Sequence, residues 1–88
     1  MPAFSVTLKP SVEKDLRHLP ATVLGRVMER IDGLRAEALP RAAVKLSGAE
    51  RLYRIRIGDY RLIYEVDTQA KQVVIHHVRH RREVYRGL

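Results

Sequence analysis

The chain has no cysteine, which excludes disulfides and zinc–thiolate centres. No apolar window approaches the length of a bilayer span, so no membrane role is expected. The opening residues, Met1-Pro2-Ala3-Phe4-Ser5-Val6-Thr7-Leu8, lack a basic stretch and a long apolar run. They do not read as a signal peptide, and the expected location is the cytoplasm. There is no internal repeat, low-complexity run or composition break, so residues 1–88 are expected to form one domain. No glycine-rich phosphate loop is present, and the serines and threonines have no partnered base. Nucleotide-dependent and nucleophilic enzymes therefore fit poorly. Acidic residues are also scarce, with Asp+Glu 10 against Lys+Arg 17 and a formal net charge of +7. An excess of that size on 88 residues favours a nucleic acid or an acidic protein as partner.

What is present is periodic. Phe4, Val6 and Leu8 alternate as on a first strand. Lys9-Pro10-Ser11 should end it and open a helix, with proline in the first turn and Ser11 as the cap. Val12, Leu16 and Leu19 lie on one helical stripe that Pro20 stops. A second helix is expected from Ala21 or Thr22, with Val23, Leu24, Val27, Met28, Ile31 and Leu34 on its apolar face. Ala38 to Gly48 reads as an irregular connection. Strands follow at about Arg51–Ile57, Tyr60–Val66 and Gln72–Arg79. The expected architecture is α+β in the order β-α-α-β-β-β: a small, mainly antiparallel sheet with a helical hairpin on one face.

Gly58-Asp59 is a two-residue hairpin signal. If it sets the register, Ile57 faces Tyr60, Arg56 faces Arg61, Ile55 faces Leu62 and Arg54 faces Ile63. Ile55, Ile57, Tyr60, Leu62, Tyr64 and Val66 then form the face that meets the helices. Arg54, Arg56 and Arg61 fall on the other. Two arginines directly opposite each other repel, and a fold that tolerates this is expected to place an anion there. The competing reading is a set of solvated charges that prevent strand-to-strand aggregation.

The histidines do not read as metal ligands. On a regular strand His76 and His77 point to opposite faces, while His76 and His80 share a face about 13 Å apart. His77 would share its face with Val73, Ile75 and Arg79, as a half-buried residue or as part of the basic surface. No metal and no cofactor are expected. In the tail, Tyr85 lies three residues past Arg82. It can stack on a nucleobase or exchange a proton through its hydroxyl, or it can anchor the tail to the core.

The order of elements and the two arginine segments resemble the RelE branch of the RelE/ParE toxin superfamily over essentially the whole chain. The resemblance runs through Pro10-Ser11-Val12-Glu13-Lys14-Asp15-Leu16, Leu19-Pro20 and Lys45-Leu46-Ser47-Gly48. It continues in Tyr53-Arg54-Ile55-Arg56, Gly58-Asp59-Tyr60-Arg61-Leu62-Ile63-Tyr64 and His80-Arg81-Arg82-Glu83-Val84-Tyr85. It implies an mRNA interferase that cuts messenger RNA in the ribosomal A site and is held inactive in a hetero-oligomer with a cognate antitoxin. Its partners would thus be mRNA, the ribosome and the antitoxin. The family's basic second-strand residues fall on Arg54 and Arg56, its central arginine on Arg61, its C-terminal arginine on Arg81 and its tyrosine on Tyr85. Arg61, Arg81 and Tyr85 are expected to be catalytic, and Arg54, Arg56, His80 and Arg82 to bind RNA. Well-studied members carry lysines where this chain has Arg54 and Arg56. Lysine can lose its proton among like charges and arginine does not, so both positions suit electrostatics rather than a general base. The base is left open among acidification by positive charge, Tyr85, His80 and the ribosome. Two other functions compete: a ParE-like toxin that binds DNA gyrase, and a nucleic-acid-binding module without catalysis.

Overall fold

The computed structural model describes residues 3–48 and 50–83. Its elements are β1 (Ser5–Leu8), α1 (Pro10–Arg17), α2 (Ala21–Gly33), β2 (Val44–Lys45), β3 (Leu52–Ile57), β4 (Tyr60–Asp67) and β5 (Gln72–His80). The five strands make one sheet in the order β1-β5-β4-β3-β2. β1 runs parallel to β5, and all other pairs are antiparallel. The class and element order are as the sequence predicts, with one addition. Inside the connection expected to be irregular, Val44 pairs with Arg54 and Lys45 with Tyr53. Two residues are too few to show a strand period.

Pro10 opens α1 as expected, because its missing N–H is one the first turn leaves unused anyway. Ser11 does not cap it. Lys9 holds the cap position with extended backbone and no side-chain bond, and Ser11 lies within the helix. Val12, Val27 and Ile31 of the helices, with Leu34 just past α2, pack against Ile55, Ile57, Leu62, Tyr64, Val66, Val73, Ile75 and Val78 of the sheet. Fully burying a side chain of that kind is worth roughly 1.5–3 kcal/mol. Met28, expected on the same stripe, is 44% exposed; a helix turns about 100° per residue, which carries it off the face that Val27 occupies. The Tyr64 hydroxyl donates to the Ala38 carbonyl at 2.8 Å, tying the start of the long connection to the core. Burial pushes that hydroxyl's pKa up, with Tyr53 adding to the shift.

Gly58 has φ +59 and Asp59 has no positive φ, the glycine-first combination of a type II′ hairpin turn. The β3–β4 register is the one read from the sequence: Ile57 with Tyr60, Arg56 with Arg61, Ile55 with Leu62, Arg54 with Ile63. β5 departs from simple alternation. Tyr64 pairs with Ile75 but Ile63 pairs with His77, so His76 is an extra, bulged residue. Val73, Ile75 and Val78 therefore all reach the helix side. By register His77 and Arg79 fall on the outer face, not alongside Val73 and Ile75 as regular alternation predicts, although the Arg79 guanidinium reaches Asp15 of α1 at the strand's edge. His80 returns to the helix side as the partner of Tyr60.

Candidate nucleic-acid interface

The sheet face turned away from the helices carries its basic groups in rows. Arg56 of β3, Arg61 of β4 and Arg79 of β5 are direct neighbours across three adjacent strands. The next row holds Arg54, Ile63 and His77, with Val44 of β2 beside Arg54. Ile63 is fully buried although it is not part of the helix-side core, so this face has an apolar centre of its own. Further along, Glu65 Oε1 accepts a hydrogen bond from His76 Nε2 at 3.0 Å. The face is thus strongly cationic at the Gly58–Asp59 end and mixed in charge towards Asp67.

Like charges side by side need restraint, and two of the three guanidiniums have it. Arg61 Nη1 donates to the Gly58 carbonyl at 3.1 Å and to the Tyr60 carbonyl at 2.9 Å. Arg79 Nε lies 3.5 Å from Asp15 Oδ1. The other carboxylate oxygen, Asp15 Oδ2, accepts from the Val78 N–H at 3.1 Å. β1 covers β5 only over Gln72–Ile75, and Asp15 on α1 takes over as partner of the strand where β1 has ended. Arg56 is exposed. Fixed donors of this kind stabilise developing negative charge without reorganising when it appears.

His77, beside Arg79 on the strand, has its pKa lowered by burial first and by the Arg79 guanidinium next, with Asp15 acting in the opposite direction. Among the described residues its Nδ1, which is buried, has no hydrogen-bond partner. His76 and His77 lie on one face with ring centroids 6.4 Å apart, contrary to the regular-strand expectation. Among the described residues no group of three or more His, Cys, Asp or Glu side chains is placed to hold a metal ion.

A family model described as the ParE toxin of type II toxin–antitoxin systems (parDE) matches residues 6–85. Toxin RelG of Mycobacterium tuberculosis is 32% identical over 84 residues, which is 94% of this chain and 97% of RelG. The crystal structure of the archaeal RelE–RelB complex from Pyrococcus horikoshii contains a chain that superposes with a TM-score of 0.81 at 34% identity, covering 93% of this chain and 99% of that one. The RelBE2 toxin–antitoxin complex of M. tuberculosis does so at 0.78 and 32%, covering 91% and 99%.

This chain belongs to the RelE/ParE toxin superfamily.

The toxin's structure gathers only part of the residue set expected from sequence. Arg54, Arg56 and Arg61 share the outer face, in adjacent rows. Arg81 is exposed just past β5, where its N–H bonds to the Asp59 carbonyl at 2.8 Å and keeps it at the cationic end. Arg82 is exposed, and its N–H bonds to His80 Nδ1 at 3.2 Å. His80 does not join Arg56 and Arg61. Its ring meets Tyr60 edge-on at 5.5 Å on the helix side, in a cleft of about 420 Å³ also lined by Lys14, Asp15, His18, Arg79 and Glu83. Tyr85 lies outside the described residues. Arg79, which was not among the residues expected from sequence, stands beside Arg61. Its place in the row depends on the bulge at His76, which local sequence does not announce.

Proposed function

We propose that this toxin is a metal-independent endoribonuclease that cuts messenger RNA, in the ribosomal A site, and is neutralised by a cognate antitoxin. One observation carries the reading: Arg56, Arg61 and Arg79 stand in register on a sheet face that the helices leave uncovered. Guanidinium groups match phosphate oxygens bidentately, and a row of them suits a phosphodiester better than any neutral ligand.

The chemistry is transesterification. The RNA 2′-oxygen bonds to the adjacent phosphorus as its proton leaves, and the bond to the 5′-oxygen breaks as that oxygen gains a proton. The products are a 2′,3′-cyclic phosphate and a 5′-hydroxyl. Arg61 and Arg79, each held by its own bonds, stabilise the charge that builds on the non-bridging oxygens. Arg56 and Arg54 add field and position the neighbouring phosphates, and Arg81 adds a further cation at the turn end. Arg82 contacts the RNA beyond the cut. Tyr85 stacks on the base at the cut or takes part in proton transfer. His80, facing the helix side, acts on RNA beyond the row rather than at the scissile phosphate. The solved relatives from P. horikoshii and M. tuberculosis are toxin–antitoxin complexes, which supports an antitoxin as this chain's partner.

The test is inducible expression followed by mapping of mRNA 3′ ends. Frame-dependent cuts that require translation are expected from wild type. Arg61→Ala and Arg79→Ala should each reduce cutting by about 10²–10³, the typical effect of removing one positioned electrostatic donor. Full toxicity in a folded Arg61→Ala/Arg79→Ala double variant would refute the assignment. The second reading, inhibition of DNA gyrase, is favoured by the ParE description of the matching family. A supercoiling assay with the purified toxin decides it.

A further inference from the structure

We propose that the cleft between α2 and the uncovered end of β3 is a second phosphate-binding site, which holds the RNA backbone where it leaves the arginine row. This rests on the RNA reading above. The cleft has a volume of about 400 Å³ and is lined by Arg26, Glu29, Arg30, Arg56 and Ile57.

Arg26 and Arg30 are four residues apart on α2, a like-charged spacing that mildly destabilises a helix. Among the described residues, none of the ion pairs within 4.0 Å involves Arg26, Arg30 or Arg56, nor does Glu29 take part in one. Three guanidiniums therefore border one hollow against one carboxylate.

The hollow is continuous with the row. Arg56 belongs to both. The Gly58 turn is approached from two sides: Arg61 Nη1 donates to the Gly58 carbonyl at 3.1 Å, and a Cβ at Gly58 would lie 3.5 Å from Arg26 Nη1. Among the described residues β2 pairs with β3 only at Tyr53 and Arg54. No strand among them stands between Arg56 and α2.

Both a phosphodiester and an acidic peptide would answer this charge. The lining favours the first, because Ile57 is its one apolar residue and is itself buried. Peptide interfaces draw their strength from apolar and aromatic anchors, and this cleft offers none. Fixed forks of donors on a polar wall are what a sugar–phosphate chain uses.

The test uses purified wild-type toxin, Arg26→Ala/Arg30→Ala and Arg61→Ala/Arg79→Ala. Each is titrated with fluorescent 2′-O-methyl oligouridylates of about 4 and about 12 nucleotides, from about 50 to about 400 mM KCl. For Arg26→Ala/Arg30→Ala, the slope of log K against log salt on the longer RNA should fall by about 0.7 for each phosphate no longer neutralised, ~1.4 for two. The shorter RNA, which fits within the row, should bind as to wild type. Both positions are exposed on a helix and alanine favours helices, so the variant folds; Arg26→Gln/Arg30→Gln must reproduce the result. An unchanged slope on the longer RNA, in a wild-type protein that cuts mRNA, overturns this site alone. A lost affinity for a poly-glutamate peptide with the RNA slope intact assigns the cleft to an acidic protein and also overturns it. A wild type that neither binds nor cuts RNA removes the parent reading first.

Discussion

Arg56→Thr should make this toxin more stable and less active at once. Arg56 is exposed and pairs directly with Arg61, whose guanidinium is tied to the turn carbonyls. Two unit charges about 6 Å apart repel by about 0.7 kcal/mol in water and ~3 kcal/mol at an effective dielectric of about 20. Exposure puts Arg56 near the lower figure, which agrees with the roughly 0.2–1 kcal/mol typical of cross-strand pairs. Among the described residues the Arg56 side chain takes part in no ion pair that the exchange would break. Arg61→Ala, by contrast, would remove two hydrogen bonds. In urea, with m of about 1–3 kcal/mol/M, the gain moves the midpoint upward by a few tenths molar. Threonine also has the better strand propensity, so salt is the discriminating variable. The gain should shrink between about 0.01 and 1 M KCl, as the screening length falls from about 30 to about 3 Å. RNA cutting by the variant should fall, a trade of stability against function common at charged sites. A variant that is less stable at low salt, or whose gain ignores salt, would refute the like-charge argument.

Two further predictions concern the scaffold. Tyr64→Phe should cost about 1–3 kcal/mol, because it strands the buried Ala38 carbonyl; an unchanged urea midpoint would show that the bond adds nothing. His77 carries a pKa below its ordinary 6.5. As pH falls through about 6.5 the unfolded chain takes up a proton that the folded chain resists, so unfolding free energy falls with pH. The window lies between 6.5 and the depressed native value, which is set by burial first, then by Arg79, with Asp15 opposing and His76 and Lys9 adding to the depression. Urea midpoints at about pH 7.5 and about pH 5.5 should differ less for His77→Gln than for wild type; equal differences would remove His77 from the linkage.

What the sequence made legible was local. The Gly58-Asp59 turn is a two-residue signal, and from it the whole β3–β4 register followed, down to the Arg56–Arg61 pair. The helix periods were equally clear, because Val27, Ile31 and Leu34 are spaced for one face. Three features were hidden, each for a different reason. β2 is two residues long and exists only because β3 offers it an edge. Met28 belongs to an apolar stripe wider than the surface available to cover it. The bulge at His76 arises from how β5 must meet both β4 and α1, and no glycine or proline marks it. That last feature displaced His77, His80 and Arg79 together, which is why Arg79 stands in the row with Arg61 while His80 faces the helices.

The bulge also makes β5 a strand with two phases. Before His76 it keeps the beat of a core wall, and after it the beat is shifted by one, so that a cation lands beside Arg61 while a valine still lands in oil. A single-codon deletion there would barely alter composition or charge. It would remove the extra residue and leave regular alternation, with Val78 still inward and Arg79 still outward, whereas one residue inserted just after His76 would ask the fold to swallow a guanidinium and expose Val78 to solvent. A one-residue insertion past the bulge in β5 is therefore more damaging than many substitutions, and no substitution matrix registers it.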